Sequence, residues 1–129
     1  MTPQEAYYKA KKSGLRIPKL ELAISKNVFH SYYYAINVIK GKFILGEPLI
    51  SKNTAYSYWY AKIVIKGRFI LGEPAISKDT CFIFHYATDV IKGRLPDFMH
   101  NQMILSNDEY TKEYIEFISK NPDSPNNKI

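Results

Sequence analysis

Only one cysteine, Cys81, occurs in the 129 residues. No internal disulfide framework can therefore brace the chain, and a reducing compartment is the expected setting. Apolar runs long enough to cross a bilayer are missing, and so is the charged-then-apolar start of a secretory signal. The six glycines never cluster, so there is no loop to cradle phosphate; singly recurring glycines read as helix stops. Helix-turn-helix and zinc-finger spacings are also missing. His85 and Asp89, four apart, could share a metal, but no second pair converges on them. His30 and His100 are isolated. Cys81 lies in a first helical turn where its equivalents are Phe29 and Ala55, which reads as a small apolar filler. These absences predict a soluble, cytoplasmic protein that is no enzyme and takes no cofactor, metal or membrane partner.

Aromatics are abundant, with eleven tyrosines, seven phenylalanines and one tryptophan. Net charge is +6 and uneven. Residues 1–20 carry five Lys/Arg against one acid, and residues 21–96 carry ten against five. Residues 97–129 reverse the sign, with six acids against three bases. Such a basic body with an acidic end suits nucleic acid, an acidic protein, or a neighbouring copy met head to tail.

The dominant feature is a phrase written three times at a period of 26: "VIKGKFILGEPLIS" from Val38, "VIKGRFILGEPAIS" from Val64, and "VIKGRLPDF" from Val90. The copies are Asn27–Glu47, Asn53–Glu73 and Asp79–Asp97. A worn copy follows near 107–120, and a degenerate leading one spans Ala6 to Ser25. A period in this range signals stacked supersecondary units with atypical ends. Asn27, Asn53, Asp79 and Asn107 read as N-caps, and positions 31, 34, 35, 38 and 39 share one helical face. Helices are thus expected over 27–40, 53–66 and 79–92. Gly41, Gly67 and Gly93 stand where a left-handed C-terminal cap favours glycine. After each comes a loop and a short helix, with Pro18 and Pro96 at helix starts. Pro48 and Pro74 sit later, so their helices begin at the proline or are distorted. Strands are the rival reading of "KFILG" and "YSYWYAKIVI". The predicted fold class is all-α: a short solenoid-like array of helix-pair repeats over 1–120, with degenerate end caps and a disordered tail over 121–129.

The phrase Tyr-Ala-x-x-Val-Ile-Lys-Gly-Arg-Phe, followed by Gly-Glu-Pro and a capped aromatic helix, resembles a short helical repeat family of bacteriophage and large-DNA-virus proteins. The likeness is closest at Tyr60–Glu73 and Tyr86–Arg94 and covers roughly residues 21–96. Typical copies place proline and glutamate just after the Arg-aromatic pair. Here Ile44-Leu45 and Ile70-Leu71 stand there, and only Leu95-Pro96-Asp97 follows the pattern. The resemblance implies a small helical-repeat fold, a viral origin, action in the host cytoplasm, and no catalytic residues to carry over.

Repeat-fixed residues such as Tyr34, Val38 and Ile39 read as stacking residues, so partner-specific information should lie where equivalent positions differ. Three columns do: Tyr33/Trp59/His85, His30/Tyr56/Phe82 and Asn37/Ile63/Asp89. They share a helical face extended by Lys40, Lys66 and Lys92, with Lys42, Arg68 and Arg94 just beyond. Trp59, Tyr33 and His85 are expected to be exposed, and Tyr56 and Phe82 to lean on the short helices. The resulting expectation is a non-enzymatic binding protein whose partner is a host protein, plausibly a nucleic-acid-handling defence protein inhibited sterically in the anti-CRISPR manner. Two alternatives are a single-stranded nucleic-acid binder using the same aromatics and cations, and a self-assembling structural component joined basic end to acidic end.

Overall fold

The computed structural model describes residues 1–121; the predicted disordered tail over 121–129 lies, but for Asn121, outside the described residues. All regular structure among them is helical, which removes the strand reading. Helices α1 (Pro3–Ser13) and α2 (Pro18–Ile24) form the leading pair. Three long helices follow: α3 (Val28–Tyr34), α5 (Thr54–Trp59) and α7 (Thr80–Tyr86). Each continues into a wider π turn, Ala35–Ile39, Tyr60–Ile65 and Ala87–Ile91. Short helices α4 (Glu47–Ile50) and α6 (Glu73–Ile76) each follow a 3-10 turn, Ile44–Gly46 and Ile70–Gly72. Helices α8 (Asp97–Ser106) and α9 (Glu109–Lys120) close the chain. Pro48 and Pro74 occupy the first turn of α4 and α6, one residue after the glutamate that starts each helix. Their missing N–H costs nothing there, so neither helix is distorted.

The start signals work as side-chain chemistry predicts. Asn27 and Asn53 accept the amides of His30 and Tyr56, both at 2.9 Å, and Asp79 accepts that of Cys81 at 2.9 Å. The fourth cap is displaced by one residue. Asn107 ends α8 in the left-handed region at φ 46°, and Asp108 begins α9 in a reciprocal capping box with Thr111.

The stop signals differ from expectation in an informative way. The left-handed residues are Lys40, Lys66 and Lys92, each at φ 60°, and not the glycines that follow them. The π turn widens the last turn and ends each helix at Ile39, Ile65 or Ile91, so the left-handed cap falls one position before the glycine. One alanine carbonyl then takes two amides: Lys66 at 2.7 Å and Gly67 at 3.2 Å on Ala61, with Lys92 and Gly93 on Ala87 alike. Twenty-six residues before Lys40 the leading helix has glycine at this point, Gly14, at φ 73°.

Consecutive long helices touch: α1 with α3, α3 with α5, α5 with α7, and α7 with α9. Tyr34, Tyr60, Tyr86 and Tyr114 are completely buried between them, each contributing about 2–3 kcal/mol by burial. Every one reaches back into the preceding unit. The Tyr60 hydroxyl accepts the Phe43 amide at 2.9 Å and donates to Glu47 at 2.6 Å. Tyr34 does the same with Ile17 and Glu21, and Tyr86 with Phe69 and Glu73. In the last unit Tyr114 accepts the Leu95 amide, and His100 Nδ1, 2.6 Å away, replaces the glutamate. A buried polar group must be paired to be tolerated, and each clamp pairs three at once.

Candidate functional site

The face that differs between copies is built on α3, α5 and α7 and their π turns. At its base runs a ladder of rings from helix to helix. Tyr7 meets His30 at 5.4 Å between centroids, Tyr32 meets Tyr56 at 5.2 Å, Tyr58 meets Phe82 at 5.6 Å, and Phe84 meets Tyr110 at 6.1 Å. Such edge-on and tilted contacts add about 0.5–1.5 kcal/mol each beyond burial. Tyr56 and Phe82 are therefore half-buried against the neighbouring long helix, through Tyr32 and Tyr58. Burial pushes the Tyr32 phenol up to about 12 and the His30 imidazole down, so both rings stay neutral near neutrality.

Above the ladder Trp59 is 37% exposed, braced edge-on by Tyr56 at 5.4 Å and lying 6.4 Å from Tyr32. His85 occupies the equivalent exposed place, 6.5 Å from Tyr58. Tyr33 is half-buried and meets exposed Phe29 in a tilted contact at 4.6 Å. One turn beyond Trp59, Ile63 stands exposed. The third column follows the ladder below it. Asn37 donates to the Tyr7 hydroxyl at 3.0 Å, and Asp89 receives the Tyr58 hydroxyl and the Lys62 ammonium. Burial would push the Asp89 carboxyl up, but hydrogen bonds from Tyr58 and Thr88, with Lys62 beside it, hold it below the usual range.

Between the ends of successive long helices lie two grooves of similar size. One, of about 310 Å³, is lined by Ile36, Lys40, Gly41, Ile63, Val64 and Lys66. The next, of about 320 Å³, is lined by Lys62, Lys66, Gly67, Asp89, Val90 and Lys92. Lys66 belongs to both. The left-handed positions 40, 66 and 92 thus set a row of exposed lysines lining the two grooves. The named cations differ in engagement. Lys40, Lys42 and Lys66 are exposed, whereas Arg68 forks onto buried Glu73 through two bonds of 2.8 Å and Arg94 reaches Asp97 at 2.8 Å.

Two sets of residues escaped the sequence reading. The ladder residues Tyr32, Tyr58 and Phe84 sit one position before the chosen column, and their signal was an aromatic kept at every copy. The clamp glutamates Glu21, Glu47 and Glu73 each precede a core tyrosine by 13 residues, and that spacing was visible. Among the described residues no group of three His, Cys, Asp or Glu is placed to hold a metal ion, and no helix is long and apolar enough to cross a membrane. Comparison of the chain with family models, curated proteins and solved structures gave no match.

Proposed function

We propose that the protein is a non-enzymatic binding module, a short solenoid-like stack that holds a partner protein along the long-helix face. The observation that supports this reading is the row of Lys40, Lys66 and Lys92. An L-residue in the left-handed region costs about 1–2 kcal/mol, and glycine would remove that cost, as Gly14 does in the leading helix. A favourable cation at a helix C-terminus returns only about 0.3–1 kcal/mol. Strain kept at equivalent places and aimed into grooves is what binding surfaces accept. Trp59, Tyr33, Tyr56 and His85 supply rings on the same long helices, the composition of interface anchors. Arg68 and Arg94 act mainly inside the fold, through their ion pairs.

The partner is then a protein with an acidic strip flanked by apolar pockets. Under the resemblance to viral repeats, a host defence protein is the first class to test, and the mechanism is steric occlusion. The deciding experiment is affinity capture from a bacterial lysate, with Trp59→Ala and Lys66→Glu as controls. Capture of one protein by the wild-type chain and by neither variant supports the reading. Equal capture by all three defeats it. Nucleic acid is the second reading, favoured by the even spacing of cations from unit to unit. It requires binding whose logarithm falls linearly with the logarithm of salt concentration.

A further inference from the structure

The short-helix side carries an apolar feature that the long-helix face does not explain. Ile44, Leu45, Ile70 and Leu71 are 64%, 52%, 67% and 55% exposed, at the same two positions of adjacent units. The end units carry Pro18-Lys19 and Pro96-Asp97 there instead. The turn Ile44–Gly46 touches α2, which bears exposed Leu22, and the turn Ile70–Gly72 touches α4, which bears exposed Pro48. The result is one ridge running Leu22, Ile44-Leu45, Pro48, Ile70-Leu71. Exposed aliphatics on successive touching elements are the composition of an interaction surface.

Charge and composition name its occupant. The acids between residues 14 and 96 are Glu21, Glu47, Glu73, Asp79 and Asp89. The three glutamates are bonded to core tyrosines, Asp79 caps α7, and Asp89 is held by Tyr58 and Lys62. What flanks the ridge in sequence is cationic: Lys19, Lys26, Lys42, Lys52 and Lys78, all exposed, with Arg16 and Arg68 turned onto Glu21 and Glu73. A second copy of the chain would set like charge against like. A protein interface enriches aromatics and arginine at its centre and depletes lysine; this ridge holds isoleucine, leucine, proline and lysine. Aliphatic tips among lysines suit the boundary of an anionic bilayer, where the tips enter the acyl layer and the ammonium groups meet lipid phosphates.

We infer that this ridge is a peripheral docking surface for anionic lipid membranes, independent of the long-helix face; the expectation of no membrane partner rests on the lack of a spanning segment, which peripheral docking does not need. The test is co-sedimentation of the full chain with vesicles of phosphatidylcholine alone or mixed with phosphatidylglycerol, at low and high salt. The wild-type chain should bind the mixed vesicles at least about tenfold more tightly than the neutral ones. High salt should weaken that binding. The combined variant Ile44→Ser, Leu45→Ser, Ile70→Ser and Leu71→Ser should lose about tenfold or more while its helical circular dichroism is unchanged, because all four side chains are exposed. Trp59→Ala should bind vesicles like the wild type, which separates this face from the long-helix one. Failure of the wild type to bind mixed vesicles overturns the inference, as does undiminished binding by the serine variant. A salt-insensitive dimer that the serine variant abolishes would reassign the ridge to self-association and also overturn it.

Discussion

The Tyr86 hydroxyl donates to Glu73 across 2.6 Å, and both residues are fully buried. The same oxygen accepts the Phe69 amide, and Arg68 completes the glutamate's coordination. A carboxylate in that position is tolerable only because both oxygens are paired, one with Arg68 and the other with Arg68 and Tyr86. Tyr86→Phe removes one donor from the carboxylate and the acceptor of a buried amide, so it should cost about 2–4 kcal/mol. Tyr60→Phe should cost less, since Glu47 is half-exposed and water can replace the phenol. Urea denaturation of both variants measures the order. A Tyr86→Phe protein as stable as Tyr60→Phe would show that burial of Glu73 carries no energetic weight.

Gly46 and Gly72 are required by close approach. A Cβ at Gly72 would stand 2.6 Å from the Phe69 ring and 2.7 Å from the Ser57 Cβ; at Gly46 it would meet Phe43 and Ser31 in the same way. Where serine gives way to Ile83 in the third copy, the residue 26 beyond Gly72 is Phe98, so the small pair is lost together. Gly72→Ala is therefore expected to destabilise by about 1–3 kcal/mol, read as a lowered thermal midpoint. An unchanged midpoint would mean that the Phe69 ring moves aside freely.

The lysines at φ 60° permit a test that separates fold from function. Lys66→Gly relieves the left-handed strain, and the gain is expected to be about 0.5–1 kcal/mol after the lost helix-terminal charge is counted. The same substitution should weaken partner capture, because Lys66 lines both grooves. A variant that is more stable and captures poorly is the expected result. A variant that is less stable would show that the lysine serves the fold.

The regular parts of this architecture were legible because they repeat. Asn27, Asn53 and Asp79 cap as their side chains require, and Tyr34, Tyr60 and Tyr86 are buried as their fixed places implied. The left-handed position was misplaced by one residue because a π turn depends on how the carbonyl of Ala61 is shared, and no residue type signals that. Glu73 was passed over because hydropathy assigns glutamate to solvent; only its spacing from Tyr86 could tell otherwise. In the candidate site, Trp59 and His85 are exposed as their changing identity implied, whereas Tyr33 in the same column is half-buried against Phe29. Arg68 looked like a surface cation in the sequence, and its fork onto Glu73 joins residues that only the folded short helix brings together.

The clamps also fix how stability should respond to pH. Burial, with the hydrogen bond to Glu21, pushes the Tyr34 phenol up to about 12, and burial, with the neighbouring Tyr33 and Tyr56, brings Tyr32 to about 12. Tyr58, Tyr60 and Tyr86 are pushed up by burial first and by a carboxylate second. In the unfolded chain a phenol titrates near pH 10, so above about pH 10 the folded state binds more protons than the unfolded one. Stability should hold up to that point and then fall, by about 1.4 kcal/mol per pH unit for each such tyrosine. On the acid side the sign reverses. Burial works against the charged form of Glu21, but the Arg16 and Tyr34 bonds hold its carboxyl below the usual range. Its contribution should disappear as pH drops through that lowered value. Helical circular dichroism and phenolate absorbance, followed together above pH 9, check the alkaline limb. Loss of helix should coincide with the ionisation of the buried phenols in one transition. Full phenol ionisation with the helices intact would mean that the tyrosine clamps do not hold the units together.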